Sequence, residues 1–470
     1  MPMIRKFIYI WIAALFLLSQ LPPQAAFGLT VSEEEELSRD ILRYIYRHYE
    51  IIDDPAVVEY VNKVGNRIVE GLKDPLFNYR FHVLKVDAYN AFAIPAGYIF
   101  INSGLLAAMD NEEELAGILA HEIAHVNARH ISQKIERSKK IGWATLAGMA
   151  AGILIGVAGG AEAGQALTQG SQAAGASAEL SYSRDNEIQA DQLGLIYLRD
   201  AGYSGEGLLK ILKKMRSKQW FDTEQVPTYM RTHPAIDDRI AYLDTQISTM
   251  PKPAETNSRE SSDDFLRVHT YLITRYGDEN LVLKHLQSEV TNNPQDPMAH
   301  YRYGLILARV GRKGEAIEQL RTAMEKRAFD PYIIRDVGRV YYLDGQYQQS
   351  LKMLKTAHNI IPDDAECGLY LGQTYMEMGL FDEASPVLQE VVEKHPGYTE
   401  AYYILGQSLG KQGNLGDAYY YLGVYHTRKG DYKTAAVQYR RALKYINDHD
   451  RRNKIEERLK KLEKALAKKR

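Results

Sequence analysis

Cysteine is almost absent from this chain of 470 residues, in which Cys367 is the only one. An intramolecular disulfide is therefore excluded. Cys367 occupies an apolar position of a helical pattern, which favours a small core residue over a nucleophile. An excess of one charge is also lacking, because 58 lysine and arginine residues are balanced by 60 aspartate and glutamate residues, for a formal net charge of −2. Nothing in that balance favours a nucleic acid partner.

Long hydrophobic runs are few, and the first is Phe7 to Leu18. Arg5 and Lys6 precede it, and small residues follow up to Gly28. This pattern is typical of a secretory signal, so we expect residues 1–28 to direct export to the periplasm and to be cleaved near Gly28. The run is short for a membrane span, and an uncleaved anchor is the alternative.

What the chain does contain is the motif His121-Glu122-Ile123-Ala124-His125. Positions four apart lie on one face of a helix, so His121 and His125 can bind the same metal ion. Glu122 then lies beside the metal, where a general base is needed. Asp110-Asn111, followed by three glutamates, predicts the start of this helix. The motif is typical of zinc-dependent hydrolysis of peptide bonds.

A second acidic motif follows within Asn186 to Leu198, a segment with helical periodicity. A catalytic zinc ion needs three protein ligands and one open position, so Glu187 is the candidate third ligand of one Zn²⁺ per chain. Asp191 shares its face, and we expect it to accept the distal N–H of a zinc-bound histidine. Arg184 and Asn186 precede Glu187 and are expected to orient it.

His130 lies five residues after His125, about 140° further round a continuous helix. The sequence therefore predicts that it points away from the metal. Ala128 and Ile131 stand where the metzincin pattern requires glycine and histidine, which favours a site of two histidines and one glutamate.

The region before the motif has a mixed α/β pattern. Residues 32–72 look helical, Tyr79 to Val86 alternates like a strand, and Asn90 to Ile101 reads as a hairpin turned at Pro95-Ala96-Gly97. An edge strand beside a cleft can bind an extended substrate by main-chain pairing, and plain sheet structure is an equally weighted alternative. The residues concerned are Asn90, Ala91, Phe92 and Ala93.

Thr232-His233-Pro234 forms a predicted loop before a short helix, 237–243. His233 is a candidate catalytic residue, either occupying the open position of the metal or stabilising the oxyanion of the tetrahedral intermediate. The alternative is a loop histidine that caps the following helix.

A glycine- and alanine-rich segment, residues 139–180, connects the two metal-binding helices. Its apolar part is Ile141 to Val157, with glycines at a spacing of four that permit close helix packing. We expect a mobile helical hairpin or lid near the cleft. Membrane contact through 141–157 is the alternative.

The second half of the chain repeats every 34 residues. Gly304, Gly338, Gly372 and Gly406 have this spacing, and a second glycine follows each by seven. A 34-residue helix–turn–helix unit is the tetratricopeptide repeat, whose stacked units bind protein segments. We predict a protease-like domain over 29–250, a linker over 251–262, repeats over 263–445 and a capping helix over 446–470.

Taken together, the two metal motifs, Asn90-Ala-Phe-Ala-x-Pro95 and Thr232-His233-Pro234 resemble those of the HtpX/Oma-type zinc metallopeptidases. The resemblance implies zinc on His121, His125 and Glu187, with Glu122 as base. It also implies quality control of outer-membrane proteins, with the repeats contacting polypeptide clients or the assembly machinery. The expected fold is mainly α: an N-terminal α+β zincin-like domain with a small sheet, followed by an all-α repeat solenoid.

Two other functions stay open at this point. The first is a chaperone or scaffold in which the repeats act and the zinc site is latent. The second is a membrane-bound peptidase with residues 141–157 inserted.

Overall fold

The computed structural model describes residues 29–137, 182–221, 228–251 and 258–468. The predicted signal segment 1–28 and the predicted lid 139–180 lie outside these residues. The chain divides into two compact units, Met1–Leu272 and Ile273–Arg470. This division falls inside a helix, Ser258–Tyr276, downstream of the predicted linker.

The elements of the first unit are α1 (Val31–His48), β1 (Ile51–Ile52), α2 (Pro55–Glu70), β2 (Arg80–Leu84), β3 (Ala91–Ile94), β4 (Tyr98–Asn102), α3 (Ser103–Ala107), α4 (Glu112–Asn127), α5 (His130–Arg137), α6 (Arg184–Asp200), α7 (Glu206–Phe221), α8 (Thr228–Thr232), α9 (Ile236–Thr249) and α10 (Ser258–Tyr276). The four strands form one sheet in the order β1-β2-β4-β3.

The prediction of one helical stretch over 32–72 is wrong, because the chain breaks between α1 and α2. Asp54 caps α2 by accepting hydrogen bonds from the backbone N–H groups of Ala56 (3.0 Å) and Val57 (3.4 Å). Pro55 is the first residue of α2. Proline lacks the N–H that a continuing helix needs, and it disfavours helical geometry in the residue before it.

The predicted hairpin is present, and β3 lies at the edge of the sheet. β3 pairs antiparallel with β4 across a 3₁₀ turn, Pro95–Gly97, while β2 and β4 are parallel. Gly97 has φ +87°, and a Cβ there would lie 2.9 Å from the carbonyl oxygen of Asn78. Glycine is therefore required at this turn.

Helix α4 is the centre of the first unit and is buried on almost all sides. Asn111 caps it by accepting a hydrogen bond from the backbone N–H of Glu114 (3.1 Å). Helix α7 approaches so closely that a Cβ on Gly117 would lie 2.5 Å from the backbone nitrogen of Leu208. Such packing holds the backbone of α4, and with it the histidine motif, in one place.

The second unit is a stack of antiparallel helix pairs that follows the 34-residue pattern. Gly338 and Gly372 lie where the leucines of the next helix, Leu354 and Leu388, pack onto their backbone. The helices are α11 (Glu279–Asn292), α12 (Pro297–Arg309), α13 (Lys313–Lys326), α14 (Pro331–Leu343), α15 (Tyr347–Ile360), α16 (Ala365–Glu377), α17 (Phe381–Lys394), α18 (Thr399–Lys411), α19 (Leu415–Arg428), α20 (Tyr432–Ala442) and α21 (His449–Lys468). The predicted fold class, a mainly helical chain with a small sheet and helical repeats, is confirmed.

Within the described residues, none of the helices has both the length and the apolarity that a membrane crossing requires. The apolar run Ile141 to Val157 lies outside the described residues. Cys367 is fully buried, and burial raises the pKa of its thiol to about 12.

Candidate active site

Helix α4 presents the motif residues to a closed interior. His121, Glu122 and His125 are each fully buried. Because the two histidines are one helical turn apart, their Nε2 atoms lie 3.0 Å from each other. Two imidazole nitrogens this close face the same point in space.

Helix α6 brings an acidic pair to that point. The Oε2 atom of Glu187 lies 3.4 Å from Nε2 of His121, and its Oε1 atom lies 3.4 Å from Nε2 of His125. Asp191, one turn further along α6, places Oδ1 2.9 Å from Nδ1 of His121. Asp191 therefore accepts the N–H of His121 on the side away from Glu187, as a carboxylate behind a metal-binding histidine does.

His233 enters from the turn between α8 and α9. Its Nδ1 atom lies 3.1 Å from Oε1 of Glu187 and 3.3 Å from Nε2 of His121, and its Nε2 atom lies 3.5 Å from Oε1 of Glu122. The ring of Tyr229 stacks on it at 4.1 Å. His233 therefore lies inside the same buried cluster as the motif.

Four residues can offer donor atoms to one metal ion: His121, His125, Glu187 and His233. These atoms lie within 4.8 Å of one another, and all four residues are buried. Imidazole nitrogens with one carboxylate oxygen are the donor set that zinc prefers. Both carboxylate oxygens of Glu122 are buried without a hydrogen-bond partner among the described residues. A buried polar cluster of this kind fits a metal ion and its water.

A further member of this buried cluster is Arg239 of α9, which is 1 % exposed. Its guanidinium donates to Oδ2 (Nε, 2.8 Å) and Oδ1 (Nη2, 2.7 Å) of Asp191. Its Nη1 atom lies 2.7 Å from Oε2 of Glu187. One buried cation thus holds both Glu187 and Asp191 in place. An arginine beside Asp237 and Asp238 has the pattern of a solvated helix face, so no sequence signal marked it.

Burial and charge change the ionisation of these groups. Burial raises the pKa of Glu122, although His233 and His121 partly oppose this. Burial alone would also raise the pKa of Glu187, but His233 and Arg239 hold it well below its usual range. Burial lowers the pKa of His125, which keeps its imidazole neutral, the form that binds metal. Glu187 is therefore an anion at neutral pH, whereas Glu122 holds a proton more readily than an ordinary glutamate does.

His121 differs from His125. Burial and Arg239 lower the pKa of His121, but its hydrogen bonds to Asp191 and Glu187 prevail and raise it to about 9. A proton and a metal ion therefore compete for this imidazole.

Two predicted positions require correction. Arg184 does not reach Glu187, because its guanidinium is exposed and lies 3.6 Å from Asp238. Asn186 forms a capping box with Ser183, whose hydroxyl donates to its Oδ1 atom at 2.7 Å. Arg184 and Asn186 therefore shape the start of α6, and Arg239 takes the role that was expected of Arg184.

The expected direction of His130 is also wrong. Helix α4 ends at Asn127, and Arg129 adopts a left-handed backbone with φ 55°. The 140° rotation assumed a continuous helix. The turn instead brings His130 back, with its Nδ1 atom 2.9 Å from Nδ1 of His125.

The proposed substrate strand lies beside α4, and its side chains belong to the core. Asn90, Ala91, Phe92 and Ala93 are fully buried. The ring of Phe92 stacks on Phe100 with centroids 5.0 Å apart. Substrate binding by this segment would therefore use the main chain along the edge of β3.

Profiles of known protein families match segments of both units. The profile of "Peptidase family M48" matches residues 55–247, and profiles named "Tetratricopeptide repeat" match residues 283–331 and 341–409. The "Beta-barrel assembly-enhancing protease" of Yersinia pestis is 25% identical over 407 residues, which are 84% of this chain and 81% of that protein. The "Mitochondrial metalloendopeptidase OMA1" of Schizosaccharomyces pombe is 27% identical over 43% of this chain and 56% of that protein.

Among solved structures, the crystal structure of MamA covers 34% of this chain and 95% of that chain, with 18% identity and a TM-score of 0.31. That score is too low to add to the argument. The M48 profile and the donor cluster both lie within the first unit. The chain carries a peptidase family M48 domain at residues 55–247, followed by tetratricopeptide repeats.

Proposed function

We propose that this chain is an exported zinc metalloendopeptidase that cleaves polypeptide chains. The observation that carries this proposal is the convergence of donor atoms from His121, His125 and Glu187, with Glu122 beside them. The M48 domain supports a metallopeptidase, and the donor set favours zinc.

The chemistry follows from the placement of these groups. Zinc bound by His121, His125 and Glu187 would supply a Lewis acid that polarises the scissile carbonyl and acidifies water. Glu122 would accept the proton of the attacking water and pass it to the leaving amine. Its raised pKa suits a group that must hold a proton between these two steps.

His233 is proposed as the group that closes the resting site. Its contacts with Glu187 and Glu122 place it where a fourth ligand or an attacking water would stand. Of the two roles considered for His233, these contacts favour occupation of the metal's open position over stabilisation of the oxyanion. It also supports the second candidate function, a chaperone or scaffold with a latent zinc site.

The proposed substrates are misfolded outer-membrane proteins in the periplasm. The relatives named beta-barrel assembly-enhancing protease support the proposed substrates. The signal pattern in residues 1–28 supports the proposed location. The tetratricopeptide repeats are proposed to bind these clients or the assembly machinery.

Glu122→Gln tests the base assignment. We expect the variant to bind one zinc ion per chain and to cleave casein or an unfolded β-barrel protein about 100-fold more slowly or worse. Glu70→Gln, at the exposed end of α2, is the matched control and should cleave at the wild-type rate. Wild-type turnover by a zinc-loaded Glu122→Gln sample would overturn the assignment.

His233→Ala separates the two candidate functions. A peptidase with a closed resting site should cleave faster once this imidazole is removed, while zinc stays bound by the other three residues. If wild type and His233→Ala are both inactive although zinc is bound, the scaffold function is favoured.

A further inference from the structure

His130 makes two polar contacts that the mechanism above does not use. Its Nδ1 atom lies 2.9 Å from Nδ1 of His125, and its Nε2 atom lies 2.9 Å from Oε1 of Gln189 in α6. The residue itself is 2 % exposed, so its imidazole is largely shielded from water. His130 is not among the residues whose donor atoms converge as a possible metal site.

The backbone is built to bring His130 to this position. Arg129 has φ 55°, an uncommon conformation for a residue with a Cβ. Its Nε atom donates to Oε1 of Glu34 at 2.7 Å, and its guanidinium also contacts the carbonyl of Leu29. Glu34 is 1 % exposed. A left-handed turn that surrounding contacts hold in place often marks a functional arrangement.

The contacts define the tautomers of both imidazoles. The amide oxygen of Gln189 can only accept a hydrogen bond, so Nε2 of His130 carries a proton. A neutral imidazole has one such proton, and Nδ1 of His130 is therefore an acceptor. The N–H that it accepts belongs to Nδ1 of His125. The Nε2 atom of His125 then keeps its lone pair, and this atom faces His121 at 3.0 Å and Glu187 at 3.4 Å.

We propose that His130 is a positioning residue that fixes His125 in the tautomer able to bind the metal ion. The inference rests on the proposed zinc site and adds to it. Each histidine of the motif then has a buried acceptor behind it: Asp191 for His121 and His130 for His125. Acceptors of this kind orient the ring and increase the basicity of the binding nitrogen.

Two substitutions distinguish this role from simple packing. His130→Asn keeps a hydrogen-bond acceptor about where Nδ1 stands, because the oxygen of the asparagine amide occupies a similar position. His130→Leu fills much of the same space with no acceptor. A residue needed only for packing would tolerate leucine at least as well as asparagine.

Zinc affinity is the first measurement, made on the full chain by competition with a chelator at neutral pH. We expect His130→Leu to bind zinc about 10- to 100-fold more weakly than wild type. His130→Asn should stay within about threefold of wild type. Equal losses in the two variants, or no loss in His130→Leu, would overturn the inference.

The tautomer of His125 is the second measurement and requires no metal. In the metal-free chain labelled with ¹⁵N-histidine, we expect His125 to carry its proton on Nδ1 in wild type and in His130→Asn. His130→Leu should lose this preference. Gln189→Leu should weaken this preference as well. Because Gln189 lies on the exposed face of α6, this variant can still be measured if His130→Leu does not fold.

The two measurements separate the inference from the function on which it rests. Failure of the wild-type chain to bind zinc would overturn the proposed function. A wild-type His125 with its proton on Nε2, or an unchanged tautomer in both His130→Leu and Gln189→Leu, would overturn the role of His130 whether or not zinc binds.

Discussion

At the scale of single residues, the site depends on buried charges that compensate each other. Glu187 and Asp191 are anions in a dry interior, and Arg239 is the cation that pairs with both. Burial alone would lower the pKa of Arg239, but the two carboxylates raise it well above its usual range. Removal of this cation would take away the ion-pair partner that the two buried carboxylates share.

Arg239→Ala should therefore be strongly destabilising. We expect a loss of about 3–5 kcal/mol in the free energy of unfolding, because Glu187 and Asp191 lose a shared partner. Urea denaturation of the full chain, followed at the unfolding transition of the first unit, measures this loss. Arg216→Ala is the control: Arg216 is partly exposed and lies 3.3 Å from the exposed Asp237, so its loss should cost less than about 1 kcal/mol. Similar losses in the two variants would contradict the account.

The candidate metal-binding residues were predictable from sequence, whereas the residues that support them were not. His121 and His125 have a fixed spacing on one helix, and Glu187 lies in a second motif of the same kind. Arg239 and His130 act through tertiary contacts. Their positions depend on how α9 packs on α6 and on the left-handed turn at Arg129, and neither feature has a pattern in the local sequence.

At the scale of secondary structure, α4 holds the motif because its neighbours approach its backbone closely. The helix start at Asn111 could be predicted from capping chemistry, and the hairpin from Pro95 and Gly97. The break between α1 and α2 at Pro55 was missed because the apolar periodicity continues on both sides. The close approach of α7 was not predictable, since it depends on packing.

Gly117→Ala tests that close approach. The new Cβ would lie 2.5 Å from the backbone nitrogen of Leu208, so α7 must move. We expect a loss of about 1–3 kcal/mol in stability, measured by thermal or urea unfolding. Gly314→Ala, in α13, is the control: within the described part of the chain a Cβ there meets nothing within 4 Å, and alanine favours a helix by about 0.5–1 kcal/mol. A stabilising Gly117→Ala would contradict the packing described for α4.

The sheet contains a pH-sensitive group, His82 of β2. Burial lowers the pKa of His82 to about 4, and its ring stacks on Phe100 at 5.1 Å. The unfolded chain takes up a proton here below about pH 6.5, whereas the folded chain does so only near pH 4. Above pH 6.5, His82 is neutral in both states and does not reduce the free energy of unfolding. As the pH falls from 6.5 to 4, protonation of the unfolded chain at His82 lowers the free energy of unfolding.

His82→Phe keeps the stack and removes the titration. Relative to this variant, the wild-type chain should lose on the order of 2 kcal/mol of stability between pH 7 and pH 4.5. Urea denaturation of both proteins across this range measures the difference, in which other titrating groups cancel. A difference that does not change with pH would contradict the lowered pKa of His82.

At the scale of the whole molecule, the chain divides into two compact units, Met1–Leu272 and Ile273–Arg470. The repeats were predictable because their 34-residue period recurs along the second half. A ligand that binds to the folded first unit should stabilise that unit.

Zinc removal should therefore destabilise the first unit, which contains the candidate site. At a free zinc concentration 100 times the dissociation constant, binding contributes about 2.7 kcal/mol, which slows exchange through global opening of that unit about 100-fold. Hydrogen exchange with and without a chelator measures this protection. Amides of α4 and α6 should respond, and those of α14 to α17 serve as the internal control. An equal response in both sets would contradict a stabilising effect of zinc that is specific to the first unit.

Anomalous diffraction at the zinc edge, from crystals of the zinc-loaded chain, is the most direct test of the central claim. The account predicts one peak about 2.0–2.2 Å from Nε2 of His121, Nε2 of His125 and a carboxylate oxygen of Glu187. No peak at this position, or a peak whose ligands do not include Glu187, would contradict it.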